Sequence, residues 1–393
     1  MLRTIFLSIV TAGIGAACAV GLLYFLAVSP VRFDNAVMTT FGVQKPEVVG
    51  FLPYWLLTKA DKQYDKYITT LTYFGLTVNS DGTLQRLSNA QEQEPGWTAL
   101  MSANMDIKLA DAKKKGLKQS LLVISGDDEA ISAMMVDPIV SGKNLVAGVG
   151  PIMREKGFTD LNLDIETFMK ASDSARTNFT TFVRTIKKEL TAQELGTLTV
   201  DLIPISLVKP KLYDAGAIGK IADRVVLMTY DYHYSGSFTS GANAPIGGSG
   251  DSMEFDVETA VKEALKVMPK EKILLGIPLY GYEWETIDEA SESATIPGGS
   301  STASVARVSE MLKACASCSS VWDPVSASPH VVVPEGDYFN QIYFENEDSM
   351  KAKITLAQKY HLGGVALWAL GYEDDKLLTP LEKYKSTLDL SGF

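Results

Sequence analysis

The chain has 393 residues, 46% of them hydrophobic and 21% charged, with a net charge of −11. That length suits one large domain or two ordinary ones, and a (β/α)8 barrel of roughly 250 residues plus insertions also fits. The acidic balance argues against a nucleic-acid partner, which needs a basic stripe. The three histidines, His233, His330 and His361, form no H-E-x-x-H or other close pair, and no G-x-S-x-G elbow is present. A histidine zinc site or a serine triad is therefore disfavoured. No metal or cofactor is expected, and carboxylates are the better candidates for acid–base work.

Arg3 precedes an uncharged run at 5–28, 24 residues long. About 20 apolar residues suffice to cross a bilayer, whereas a cleavable leader usually has an apolar region of about 7–15. Residues 1–30 are expected to be an uncleaved signal anchor, with a cleaved signal peptide as the alternative. Arg3 favours a cytoplasmic N-terminus. Either reading puts the body of the chain outside the cytoplasm, membrane-anchored or secreted, with 31–45 as a linker.

From residue 46 to 393 the chain reads as one catalytic-size barrel. Short runs rich in β-branched and aromatic residues at 48–54, 70–76, 120–125, 160–166, 198–204, 225–230, 273–280 and 364–369 read as strands. Helical patterns lie between them, for example at 97–115, 174–190, 254–267 and 349–360. That alternation predicts a parallel sheet with crossover helices. No G-x-G-x-x-G opens a helix after the first strand, so a closed α/β barrel is preferred to a dinucleotide-binding sheet.

The stretch between the seventh and eighth strands is too long for one loop. It holds a polar loop at 291–304, a helix near 305–315 and strand-like pieces at 321–323, 330–333 and 341–344. The expectation is a small α+β insertion, about 285–345, at the barrel mouth. Cys315 and Cys318 form a lone C-x-x-C in this stretch, which reads as a local disulfide or two free thiols before it reads as zinc.

In a strand, side chains alternate faces, so Asn162, Asp164 and Glu166 share one side and Leu161, Leu163 and Ile165 the other. In a barrel the polar set would face inward and end with Glu166 at the C-terminal rim, where barrel active sites sit. Buried polar side chains in such a row are costly unless paired or used.

The run 158–166, F-T-D-L-N-L-D-I-E, resembles the fourth-strand signature D-x-x-D-x-D-x-E of glycoside hydrolase family 18, the chitinase family. The resemblance implies that Glu166 is the general acid and that Asp164 orients the substrate's N-acetyl group. It further implies substrate-assisted retention, in which the sugar's acetamido oxygen is the nucleophile, a scheme on record for this family. Thr159 and Asn162 stand where the fullest pattern has aspartates. The Asn form is similar to the V-N-I-D-F-E of bacterial spore and cell-wall members. Asn162 is expected to hydrogen-bond Asp164, but it adds no like charge to raise that group's pKa.

Other strands carry the resemblance further. The run 225–233 is similar to the family's M-x-Y-D motif, which assigns substrate contacts to Met228, Tyr230 and Asp231. The run 364–371 ends the eighth strand and makes Trp368 the floor under the cleaved sugar. The runs 276–282 and 49–55 resemble the seventh and first strands, which brings Tyr280, Tyr282 and Tyr54 toward the cleft. Ser125-Gly126 matches the third-strand motif only in part, since Asp127 replaces a glycine. Trp55, Trp284 and Trp322 are further platform candidates.

The implied protein is a monomeric glycosidase acting on an N-acetylglucosamine-containing polysaccharide, chitin or peptidoglycan. The alternative is a non-hydrolytic sugar-binding protein on the same barrel. The presence of Glu166 favours the enzyme.

Overall fold

The computed structural model describes residues 45–249 and 255–387. Eight parallel strands close into a barrel in chain order: β1 (Glu47–Pro53), β2 (Thr70–Thr77), β3 (Lys118–Ser125), β4 (Asp160–Ile165), β5 (Thr197–Leu202), β6 (Arg224–Leu227), β7 (Ile273–Pro278) and β8 (Gly364–Trp368). Closure is made where β8 pairs with β1, Glu47 opposite Gly364 and Gly50 opposite Leu367. The apolar side of each strand meets a ring of helices. The helix Asp173–Ala192, capped by Ser172, buries Phe179, Phe182, Val183, Ile186 and Leu190 along one stripe. That spacing is the period of a helix packed on one face.

The expected helix 97–115 is two helices, Pro95–Leu100 and Ala103–Lys114. The break falls at Ser102, whose hydroxyl accepts from the Met105 N–H at 3.3 Å and starts the second helix. The expected membrane segment, 1–30, and nearly all of the linker lie outside the described residues. Among the described residues, no helix is long and apolar enough to cross a membrane.

The insertion is a five-stranded antiparallel sheet in the order Thr295–Ser304, Tyr280–Thr286, Tyr338–Tyr343, Ser328–Glu335, Val321–Asp323. It begins two residues after β7, earlier than expected, because Pro278 ends the barrel strand and Tyr280 already pairs with Ser304. Part of the expected polar loop, 295–304, is therefore a strand. Its Ser, Thr and Gly composition masks a backbone ladder that needs no apolar side chains. Gly281 makes the close pairing possible, since a Cβ there would meet the Tyr343 carbonyl oxygen at 1.8 Å. Cys315 and Cys318 are joined in a disulfide just after the helix Val305–Ala314.

Candidate active site

β4 sets the row around which the site is built. Leu161, Leu163 and Ile165 enter the hydrophobic core, while Asn162 and Asp164 turn into the barrel at 1% and 4% exposure. Glu166 follows the last residue of β4, and its N–H donates to the Ser125 carbonyl at 2.8 Å. The end of β3 thus fixes the backbone of Glu166 at the rim. Behind β4, the buried Tyr213 hydroxyl donates to the Ile165 carbonyl.

A cleft of about 390 Å³ opens over this row. Of the residues singled out in the sequence, Asp164, Glu166, Met228, Tyr230, Asp231 and Trp368 line it. Asn162 lies one layer lower, on a separate polar cavity of about 80 Å³ inside the barrel. Its carboxamide hydrogen-bonds Asp201 on β5, where Asp164 was the expected partner.

Tyr280 stands behind Asp231 and does not line the cleft, because it belongs to the insertion sheet. Tyr54 does not line it either. It opens a 3-10 turn after β1, which takes it off the inward row and sets it edge-on to Trp55, with ring centroids 4.9 Å apart.

The cleft is tied to the insertion through Asp231. Its Oδ1 accepts from the Tyr280 and Tyr282 hydroxyls at 2.5 and 2.8 Å. Its backbone sits in the left-handed region at φ 60°, which aspartate tolerates better than most residues. The Asn243 side chain accepts the Asp231 N–H at 2.6 Å and donates to the Tyr280 carbonyl at 3.0 Å, locking both segments together. Gly276 on β7 leaves room for the Tyr230 ring, since a Cβ there would meet it at 3.0 Å and the Leu227 carbonyl at 2.4 Å.

Trp368 forms the apolar floor, packed edge-on against Phe74 at 4.7 Å and Phe51 at 5.8 Å. Trp55 extends this aromatic surface, 44% exposed and 6.3 Å from Trp368. The other two candidate platforms are elsewhere. Trp284 is fully buried in the insertion, donating to the Tyr234 carbonyl, and Trp322 sits on its edge strand away from the cleft.

Electrostatics favour a protonated site. Burial pushes Asp164 well above the usual carboxylate range, and the charges of Glu166 and Asp201 push the same way. Burial also raises Glu166, opposed by its hydrogen bond with Asp164 and reinforced by Asp231. Asp231 itself is raised by desolvation, against the two tyrosine bonds. Burial, with the charges of Asp201, Asp164, Glu166 and Asp231, keeps Tyr230 a neutral phenol able to donate. Such perturbed groups converging in a cleft are what acid catalysis requires.

Sequence reasoning missed Asp201, Tyr213 and Phe168. Asp201 is 3% exposed and faces Asp164 from β5, and Phe168 is an exposed aromatic on the cleft wall. The alternation of β5 carried a signal for Asp201, the same period-2 rule that placed Asp164. Among the described residues, no group of three or more His, Cys, Asp or Glu is arranged to hold a metal ion.

A closed (β/α)8 barrel with a half-buried glutamate at the rim of β4, a neutral tyrosine after β6 and a tryptophan on the cleft floor has the architecture of a barrel glycosidase. Residues 47–373 match the family model described as glycosyl hydrolases family 18. The chain belongs to that family.

Its relatives include the cortical fragment-lytic enzyme of Bacillus anthracis, 25% identical over 80% of this chain and 67% of that one. Probable chitinase 2 of Drosophila melanogaster is 26% identical over 67% of this chain and 59% of the relative. In solved structures, the group IV chitinase of Ostrinia furnacalis shares the fold with a TM-score of 0.74 at 22% identity, over 87% of this chain and all of that one. The spore cortex-lytic enzyme SleL of Bacillus cereus does so with a TM-score of 0.67 at 21% identity, over 88% of this chain and 75% of that one.

Proposed function

We propose that the protein hydrolyses β-1,4 bonds beside N-acetylglucosamine with retention, using the substrate's own acetamide as nucleophile. The observation that carries this reading is Glu166 at the rim, its pKa raised by burial, next to a buried Asp164 raised further by charge. Glu166 protonates the leaving oxygen as the glycosidic bond breaks. The acetamido oxygen attacks the anomeric carbon, positioned by Tyr230 donating to it and by Asp164 facing the acetamide nitrogen. Trp368 supports the ring undergoing cleavage. Water, deprotonated by the Glu166 carboxylate, then opens the oxazolinium ion and restores the acid.

The substrate we favour is peptidoglycan glycan over crystalline chitin. Similarity to enzymes named as cortex-lytic and the Asn162 form of the β4 motif support that choice. A monomer working outside the cytoplasm, held by the N-terminal segment or released from it, fits this substrate. The Cys315–Cys318 disulfide supports an oxidising compartment.

Glu166→Gln tests the assignment of the acid. Turnover of a chromogenic N-acetylglucosamine oligomer should fall by about 10²–10⁴-fold with KM little changed. Retained wild-type turnover in that variant would remove Glu166 from the mechanism.

A further inference from the structure

The β4 signature of the family has a carboxylate where this chain has Asn162, and the structure holds a carboxylate on the neighbouring strand instead. The β4–β5 register, Asn162 opposite Thr199 and Leu163 opposite Val200, brings Asp164 level with Asp201 one step further on. Both turn into the barrel, both line the cleft and both are almost fully buried. Each also has one carboxylate oxygen, Oδ1, that is enclosed and lacks any hydrogen-bond partner.

Two ionised carboxylates with orphaned oxygens side by side would be strongly unfavourable. A proton between them removes one charge and supplies the missing donor. The Asn162 carboxamide hydrogen-bonds Asp201 and so holds the incoming carboxylate in place.

We propose that Asp201, on β5, is a positioning residue that shares a proton with Asp164. This rests on the hydrolytic reading of Glu166 and deepens it. At working pH the three carboxyls hold two protons, one on Glu166 and one shared by Asp164 and Asp201. When Glu166 gives its proton to the leaving oxygen, the shared proton moves onto Asp201. Asp164 is then ionised and faces the cationic oxazolinium ion. When the ring opens, Glu166 recovers a proton from water and the shared proton returns toward Asp164. No proton is lost or gained in the relay.

The other groups that act on this pair are Glu166 beyond β4, Tyr230 after β6, Tyr213 after β5 and Asp160 one layer below, with Asp231 acting on Glu166. Glu166 already hydrogen-bonds Asp164, which leaves the enclosed Oδ1 of Asp164 as the oxygen available to Asp201.

The test uses the wild-type chain, D201N, D201A and the double variant N162D/D201A. Aspartate carboxyls are followed by ¹³C NMR across pH, beside pH profiles of kcat and KM on an N-acetylglucosamine oligomer. In the wild type, two buried carboxyls should titrate together in two coupled steps. D201N, which keeps the shape, should leave Asp164 a single step at lower pH. It should reduce kcat by on the order of 10- to 100-fold with little change in KM. N162D/D201A should recover the coupled curve and most of the kcat lost in D201A.

A wild-type Asp164 that titrates alone overturns the proposal. So does D201N with lowered thermal stability but an unchanged pH profile and kcat. Absence of any hydrolysis by the wild type would overturn the functional reading, and the NMR titration would still decide the shared proton.

Discussion

In the proposed mechanism, Glu166 and Trp368 divide the work of the cleft between proton transfer and support. Trp368 is held by edge contacts to Phe51, Phe74 and Trp55, which leaves a ring surface for a pyranose. Replacing it with alanine removes that surface without touching the carboxyls. Trp368→Ala should weaken binding of an N-acetylglucosamine oligomer to the Glu166→Gln variant by on the order of 10- to 100-fold, as isothermal titration would read it. Unchanged affinity would mean that the sugar lies elsewhere.

At this scale much of the site was legible from the chain. Strict alternation along β4 is enough to turn Asp164 and Glu166 inward, and both line the cleft. Asp201 obeys the same alternation on β5, but a single aspartate in an apolar strand has no partner in sequence to mark it. Tyr54 goes the other way: the resemblance of 49–55 to the family's first strand places it toward the cleft, but a 3-10 turn beginning at Tyr54 carries it off that strand's inward row.

Among the elements, the barrel strands and the insertion differ in how they are specified. The strands are short β-branched runs buried on both faces, and each of the eight falls within a few residues of its expected position. The insertion is specified by backbone pairing and by contacts distant in sequence, which composition does not report. A buried ion pair ties the connection after the insertion to the barrel helix that follows it. Lys353, on the helix Glu347–Lys359, donates to both oxygens of Glu345 at 2.9 and 2.8 Å, and both side chains are 1% exposed. Ser349 donates to Glu345 as well, at 2.5 Å.

Removing one partner leaves a buried charge without compensation. Lys353→Met should therefore destabilise the domain by about 3–5 kcal/mol and lower the thermal midpoint by roughly 5–15 °C. Replacing Glu345 with leucine in the same chain should recover most of that loss. A single variant as stable as the wild type would show that the pair is not closed to water.

Over the whole molecule, the barrel interior is a column of carboxyls, from Asp160 through Asp201 and Asp164 to Glu166. Asp160 accepts from Ser120, Thr197 and Thr199, yet burial pushes its carboxyl from the usual 3.8 up to about 7. Between those two values the folded domain binds more protons than the unfolded chain, so stability falls as pH rises. The contribution is complete below about pH 4 and is lost as pH passes about 7. Glu258 works in the opposite sense, but its carboxyl lies near 2 in the fold, so its effect is complete above about pH 5. The thermal midpoint should therefore decline from about pH 5 to pH 8, and Asp160→Asn should flatten that decline. Parallel pH curves for the two proteins would contradict the assignment. None of this was legible in the sequence, since a net charge of −11 does not say which carboxylates are buried together.

Proton NMR of the first products tests most directly whether the substrate's acetamide acts as the nucleophile. Wild-type protein is offered an N-acetylglucosamine oligomer and the matching glucose oligomer. The prediction is the β-anomer from the first and no cleavage of the second. An α-anomer as first product, or equal cleavage of both oligomers, would contradict it.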